Sequence, residues 1–150
     1  MRVYRITLAK YATALAASGR AARWNPNETD MIYTSGSISL ACLENVVHRN
    51  QLGLNSNFRV MTIEIPDDLL ILDVKYDALP VNWTDFEHMP LTQALGEDWI
   101  KKGRSPVLKV CSSIIDGEYN YLLNPLHTDF KLIKLLDSKS FVFDKRIKGL

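Results

Sequence analysis

Apolar residues recur along this chain at two spacings, which divide it into short strands and amphipathic helices. Residues Arg2 to Leu8 alternate polar and apolar and are rich in β-formers, predicting a strand. Ala9 to Ser18 places Tyr11, Ala12, Leu15 and Ala16 at helical spacing and stops at Ser18-Gly19, predicting a short helix. After the turn Asn25-Pro26-Asn27-Glu28, the run Met31-Ile32-Tyr33-Thr34 has the character of a buried strand. Ser35-Gly36-Ser37 offers an N-cap for a helix through about Asn50, closed by Gly53, with His48 and Arg49 suited to the negative end of its dipole.

Phe58 to Ile65 alternates again as a strand, and Leu69 to Val74 is a further apolar run compatible with either type. Lys75 to Met89 shows no period and is expected to be a long loop pinned by Trp83 and Phe86. A helix follows over Leu91 to Lys102 with its stop at Gly103, then a strand over Pro106 to Cys111. Asp116 to Asn124 has a turn-rich character, and Phe130 to Leu136 and Ser140 to Phe143 are expected as terminal strands. The two types alternate without regular βαβ spacing, repeats or low-complexity linkers, which implies one α+β domain over residues 1–150.

A chain of 150 residues can bury roughly 70% of its unfolded surface and so hold both a core and a pocket. Its 18 basic residues exceed its 17 acidic ones by one, which argues against a nucleic-acid coat or an anionic membrane surface as partner. Cys42 and Cys111 are too few for a disulfide scaffold. Arg2, Arg5 and Lys10 interrupt the start where a signal peptide would be apolar, and no stretch approaches the ~20 apolar residues of a membrane span. A soluble cytoplasmic protein is expected. The glycines never form G-x-G and never precede a Lys-Ser/Thr pair, so a bound nucleotide would be held largely by side chains. His48, His88 and His127 lack metal-ligand spacing, and no metal is expected.

Three features stand out from this background. On a wheel of the 37–50 helix at about 100° per residue, Leu40, Leu43 and Val47 define the core face, and Glu44 projects within about 40° of Leu40. A carboxylate aimed at a core sits at a wet rim, pairs with a cation or lines a pocket. His48, one turn later, is assigned to the helix dipole rather than to chemistry. The loop Arg20-Ala21-Ala22-Arg23-Trp24-Asn25-Pro26 carries two guanidiniums and an indole, which suits either a phosphate or a solvated basic loop anchored by Trp24. Cys111-Ser112-Ser113 ends a strand with hydroxyls that either face a cleft or cap a turn.

In order, Arg23-Trp24-Asn25-Pro26, Tyr33-Thr34-Ser35, Leu40-Ala41-Cys42-Leu43-Glu44, Val47-His48, Trp99 and Glu118-Tyr119-Asn120-Tyr121-Leu122-Leu123-Asn124-Pro125 form a pattern. With Val3-Tyr4-Arg5-Ile6 at its start, the chain resembles the RES-domain toxins of bacterial RES–Xre toxin–antitoxin pairs over nearly its whole length. The resemblance assigns the family arginine to Arg23, its tyrosine to Tyr33, its glutamate to Glu44 and its serine to Ser112. Ser113 is the alternative, because Val110-Cys111-Ser112-Ser113 stands where the family reads Val-Pro-Ser-Ala. Ala21-Ala22 replaces the glycine pair usual before the arginine.

The resemblance implies a compact fold similar to ADP-ribosyltransferase toxins, with a mixed or antiparallel sheet and flanking helices. It also implies action on NAD+ at the nicotinamide–ribose bond, by hydrolysis or phosphorolysis. The implied partner is an Xre-like antitoxin that blocks the pocket and brings DNA only indirectly, with self-association within the complex left open. Modification of a protein by ADP-ribosylation, and a non-catalytic regulatory module, are the competing readings. In the catalytic reading Arg23 holds the pyrophosphate, and Glu44 orients the ribose hydroxyls and stabilises the developing oxocarbenium charge. Tyr33 packs on nicotinamide or ribose, and Ser112 hydrogen-bonds the nicotinamide side without acting as a nucleophile, no histidine being placed to activate it.

Overall fold

A computed structural model describes residues 1–49 and 57–147. Strand β1 (Arg2–Leu8) is followed by β2 (Ile32–Ser35), helix α1 (Ile38–His48), β3 (Phe58–Glu64) and β4 (Ile71–Asp73). Helix α2 (Met89–Lys102), β5 (Val107–Cys111), β6 (Tyr119–Leu123) and β7 (Lys134–Phe141) complete the order. The strands form one mixed sheet in the order β4-β5-β6-β2-β1-β3-β7, antiparallel except for the β4–β5 pair. The α+β class with a mixed sheet and flanking helices is the one expected.

The sheet is two half-sheets joined at a narrow seam. β1 pairs with β3 along its whole length, from Arg2 opposite Glu64 to Leu8 opposite Phe58. β2 pairs fully with β6, from Ile32 opposite Leu123 to Ser35 opposite Asn120. Between β1 and β2 the only register pair is Tyr4 opposite Ser35. Helix α1 packs against both strands and so covers the seam.

Strand alternation sorts the core onto the two faces. Tyr33 and Leu122 face Trp24, Trp83, Trp99 and Ile100, whereas Ile32 and Leu123 face Val3, Met61 and Ile63. Ala41 of α1 packs with Ile6, Phe58 and Phe143. Ser37 caps α1 by accepting from the Leu40 amide, as its position predicts, and the helix gives way to extended backbone at Arg49. The expected extension to Asn50 and the stop at Gly53 lie outside the described residues. Helix α2 carries Pro90 in its first turn and ends at Gly103, whose φ of 53° is the left-handed cap glycine favours.

Several expectations are corrected. Ala9 to Ser18 forms one 3-10 turn, Ala9–Tyr11, and then runs without regular structure. Ten residues are too few to hold a helix without packing, and here the Ala16 carbonyl is taken by the Arg5 guanidinium at 2.8 Å while Ala12 is buried. Asp116 to Asn124 contains β6, because the tight turn at Gly117, φ 78°, returns the chain between β5 and β2, where pairing on both sides outweighs turn propensity. The two terminal strands are one, β7, preceded by a 3-10 segment at Thr128–Leu132. Of the two aromatics expected to pin the 75–89 loop, Trp83 is buried but Phe86 is 81% exposed. Leu43 and Val47 are exposed as well, since α1 rests on a seam and buries only Leu40 and Ala41.

Gly96 marks the closest approach of α2 to the rest of the fold: a Cβ there would overlap the Trp24 carbonyl and meet the Met31 side chain at 3.0 Å. G96A is therefore expected to destabilise the protein by ~1–3 kcal/mol and to lower Tm by roughly 2–4 °C per kcal/mol, read by thermal melting.

Candidate functional site

A cavity of about 530 Å³ opens at the seam, within the size range of small-molecule sites. β1 contributes Tyr4, Arg5 and Ile6 to its wall, β2 contributes Tyr33, Thr34 and Ser35, and α1 contributes Glu44 and His48. The helix is tied to β1 by Asn45, whose amide donates to the Ile6 carbonyl at 3.0 Å. Glu44, one turn after the buried Leu40, is thereby turned to the cavity with its side chain 22% exposed.

The Glu44 carboxylate is gripped asymmetrically. Its Oε1 accepts from Asn120 Nδ2 at 2.7 Å, and its Oε2 lies 3.2 Å from His48 Nε2. Asn120 is itself fixed by Ser35, whose hydroxyl donates to Asn120 Oδ1 at 2.8 Å.

The Arg23 loop also lines the cavity. Arg23 donates through Nη1 to the Trp83 carbonyl at 3.2 Å and lies 5.9 Å over the Trp83 ring, which packs in turn on Trp24. Thr92 Oγ1 holds the Arg23 carbonyl at 2.5 Å, and Gln93 Nε2 holds the Ala22 carbonyl at 2.9 Å, so α2 clamps the loop backbone. Tyr33 clamps it from β2: its hydroxyl donates to Asn25 Oδ1 at 2.6 Å and accepts from the Trp24 amide at 3.0 Å. Burial pushes the Tyr33 phenol above its ordinary range; the Glu44 charge adds to the rise and Arg23 opposes it. Tyr33 thus lies in the field of both groups and remains a neutral donor.

The structure brings Arg23, Tyr33 and Glu44 to one cavity and leaves Ser112 off its wall. The Ser112 hydroxyl faces its own turn, accepting from the Ile114 and Ile115 amides at 3.1 Å each, and Ser113 lines the cavity instead. Arg20 is exposed and outside the cavity lining. Among residues not singled out from the sequence, Asn120 and Ser35 hold Glu44, His48 meets its other oxygen, Arg49 lines the wall, and Arg5 lines it too while its guanidinium donates to the Ala16 carbonyl. Asn120 gave no local signal, because it stands in β6, a strand hidden among turn-forming residues. Burial lowers the Arg5 pKa, and no ion pair engages Arg5 or Arg23 among the described residues.

The wall therefore offers guanidiniums for an anion, a restrained carboxylate for a cationic or hydroxyl-bearing group, and aromatic surface for a ring. Among the described residues no group of His, Cys, Asp and Glu is placed to hold a metal ion, and no helix is long and apolar enough to cross a membrane.

This arrangement has relatives. The RES domain family matches residues 2–144, and the chain belongs to it. A protein of Yersinia enterocolitica serotype O:8 named Toxin Res is 34% identical, the match covering 99% of this chain and all of that protein. A Sphingobium protein named Prs ADP-ribosylating toxin is 36% identical over 83% of this chain and 79% of its own. A chain in the crystal structure of the M. tuberculosis MbcT–MbcA toxin–antitoxin complex shares the fold, with a TM-score of 0.77 at 22% identity, covering 94% of this chain and 84% of that one.

Y33F removes both hydrogen bonds of the clamp and leaves Asn25 Oδ1 and the Trp24 amide without that partner, an expected loss of ~1–3 kcal/mol at neutral pH. Because the folded protein keeps the phenol protonated where the unfolded chain ionises it, the stabilisation by Tyr33 is present below about pH 10 and lost as pH rises further. Urea unfolding from neutral to alkaline pH should show a constant gap between wild type and Y33F that narrows above about pH 10.

Proposed function

We propose that this chain is the toxin of a toxin–antitoxin pair and consumes cytoplasmic NAD+ by breaking the nicotinamide–ribose bond. The observation that carries this reading is that Arg23 and Glu44 line one cavity with no ion pair between them, Tyr33 lying in the field of both. Opposite charges held apart can serve different ends of one substrate. Family membership and the toxin names of the relatives support the biological role.

In this reading Arg23, fixed on Trp83, binds the pyrophosphate of NAD+ with a planar fork of donors. Glu44 binds the ribose hydroxyls of the nicotinamide nucleoside. As the bond from the ribose anomeric carbon to the pyridinium nitrogen breaks, its electron pair neutralises the ring and leaves positive charge on the sugar. A carboxylate already in position stabilises that charge more in the transition state than in the bound substrate. The Tyr33 ring packs on the ribose or the nicotinamide, and the hydrogen bond to the nicotinamide side is assigned to Ser113, the hydroxyl on the wall, in place of Ser112. Water or phosphate then adds to the anomeric carbon from the open side, giving ADP-ribose or its 1-phosphate. An Xre-like antitoxin is the partner that closes the cavity, in keeping with the toxin–antitoxin complex that shares the fold.

A second reading keeps the site and changes the acceptor to a protein side chain, favoured by the relative named as an ADP-ribosylating toxin. Purified antitoxin-free protein incubated with NAD+, with and without phosphate, is expected to release nicotinamide and yield ADP-ribose or its phosphate ester by mass. Labelled NAD+ in a cell lysate would instead give a discrete labelled protein under the second reading. NAD+ left intact in every arm by folded protein would overturn both. E44Q is expected to retain the fold and lose about a hundredfold or more in NAD+ turnover.

A further inference from the structure

We propose that Ser35 and Asn120 are positioning residues that commit one oxygen of Glu44 to the protein and leave the other, Oε2, as the oxygen that meets substrate. The inference rests on the NAD+ reading for its chemistry but on the side-chain network for its geometry.

Hydrogen-bond capacity fixes the direction of every bond in this network. A carboxylate only accepts, so the Asn120 amide must turn its Nδ2 to Glu44 Oε1, 2.7 Å away. That leaves Asn120 Oδ1 as an acceptor facing Ser35 Oγ at 2.8 Å, and only the serine hydroxyl can supply the proton. Glu44, which only accepts, thereby selects the amide orientation, and the Ser35 hydroxyl holds Asn120 in it by donating to the far side of the amide. The two residues are directly opposite across the β2–β6 ladder, and both are buried. Their relative position is set by backbone pairing, so the carboxylate is referenced to the sheet and not to helix α1 alone.

The second oxygen is held differently. Its contact, His48, lies one turn further along α1 with a side chain 69% exposed, free to swing toward solvent. A ligand hydroxyl or a developing positive charge can take that place without disturbing Oε1. The seam gives the device a further role: Ser35 is also the residue of β2 that pairs with Tyr4 of β1, so the carboxylate is set from the single point at which the half-sheets are joined. Placing this in a preorganised site fits a reaction whose stabilising group must not reorganise as charge develops.

The test combines kinetics with a spectroscopic readout. Losing the hydrogen bond to the Glu44 carboxylate is expected to cost about tenfold or more in kcat for N120A, and losing the neutral bond that holds Asn120 about threefold or more for S35A, with KM within about twofold of wild type in both. S35T keeps a hydroxyl and should recover most of the loss in S35A. In an E44Q background, N120A should add almost nothing, because both changes remove the same function. Independently of turnover, the Asn120 side-chain amide proton nearest Glu44 should resonate downfield in the wild type and move upfield in E44A. Folded N120A and S35A proteins with wild-type kcat, fully additive losses with E44Q, or an amide resonance indifferent to E44A would each overturn the relay. If NAD+ is not a substrate but the amide shift is present, the network stands and the reaction assigned to it falls; the two failures are therefore separate.

Discussion

β1 and β2 meet at a single residue pair, Tyr4 opposite Ser35, and the candidate site is arranged around that limit. A sheet that paired fully across its centre would have no room for a ligand there. Here β1 is bound along its length to β3, and β2 along its length to β6, so each half-sheet is satisfied while the seam between them stays open. Helix α1 spans the opening, tied to β1 by Asn45, and the cavity occupies the space beneath it.

The seam also settles how charge is distributed. A net charge of +1 conceals an arginine of the Arg23 loop and a carboxylate from α1 that line the same cavity. Separation of these groups requires rigid supports on both sides, and the structure supplies them. The Arg23 loop is wedged between Gly96 of α2 and Tyr33 of β2, with Thr92 and Gln93 holding its carbonyls. Glu44 is referenced to Asn120 and Ser35 on the sheet. Each group is thus held by its own partners, and no ion pair joins them.

Much of this was legible in the residues, and the misses have physical causes. Glu44 could be found because Leu40 anchors its helix and a carboxylate so close to that direction needs a reason. The rest of the helix face was misread, Leu43 and Val47 being exposed, because the wheel assumes a continuous floor and α1 lies over a seam. Ser112 and Ser113 differ only in which side of the chain their hydroxyls occupy after β5, and that depends on the turn leading to β6. β6 was itself hidden by the turn-forming residues around it, and Asn120 with it, since its place depends on two neighbouring strands that no local pattern encodes. Arg5 was legible only as an interruption of an apolar run, whereas it lies beside the opening where β1 leaves β2.

The central claim is that the seam cavity binds NAD+ with its nicotinamide ribose at Glu44. A crystal structure of the E44Q variant with NAD+ tests it most directly. The account predicts the dinucleotide within the cavity beneath α1, its ribose hydroxyls at the residue 44 side chain and its pyrophosphate on the Arg23 guanidinium. NAD+ bound elsewhere on the protein, or in the cavity with its pyrophosphate at residue 44 and its nicotinamide ribose remote from it, would contradict it.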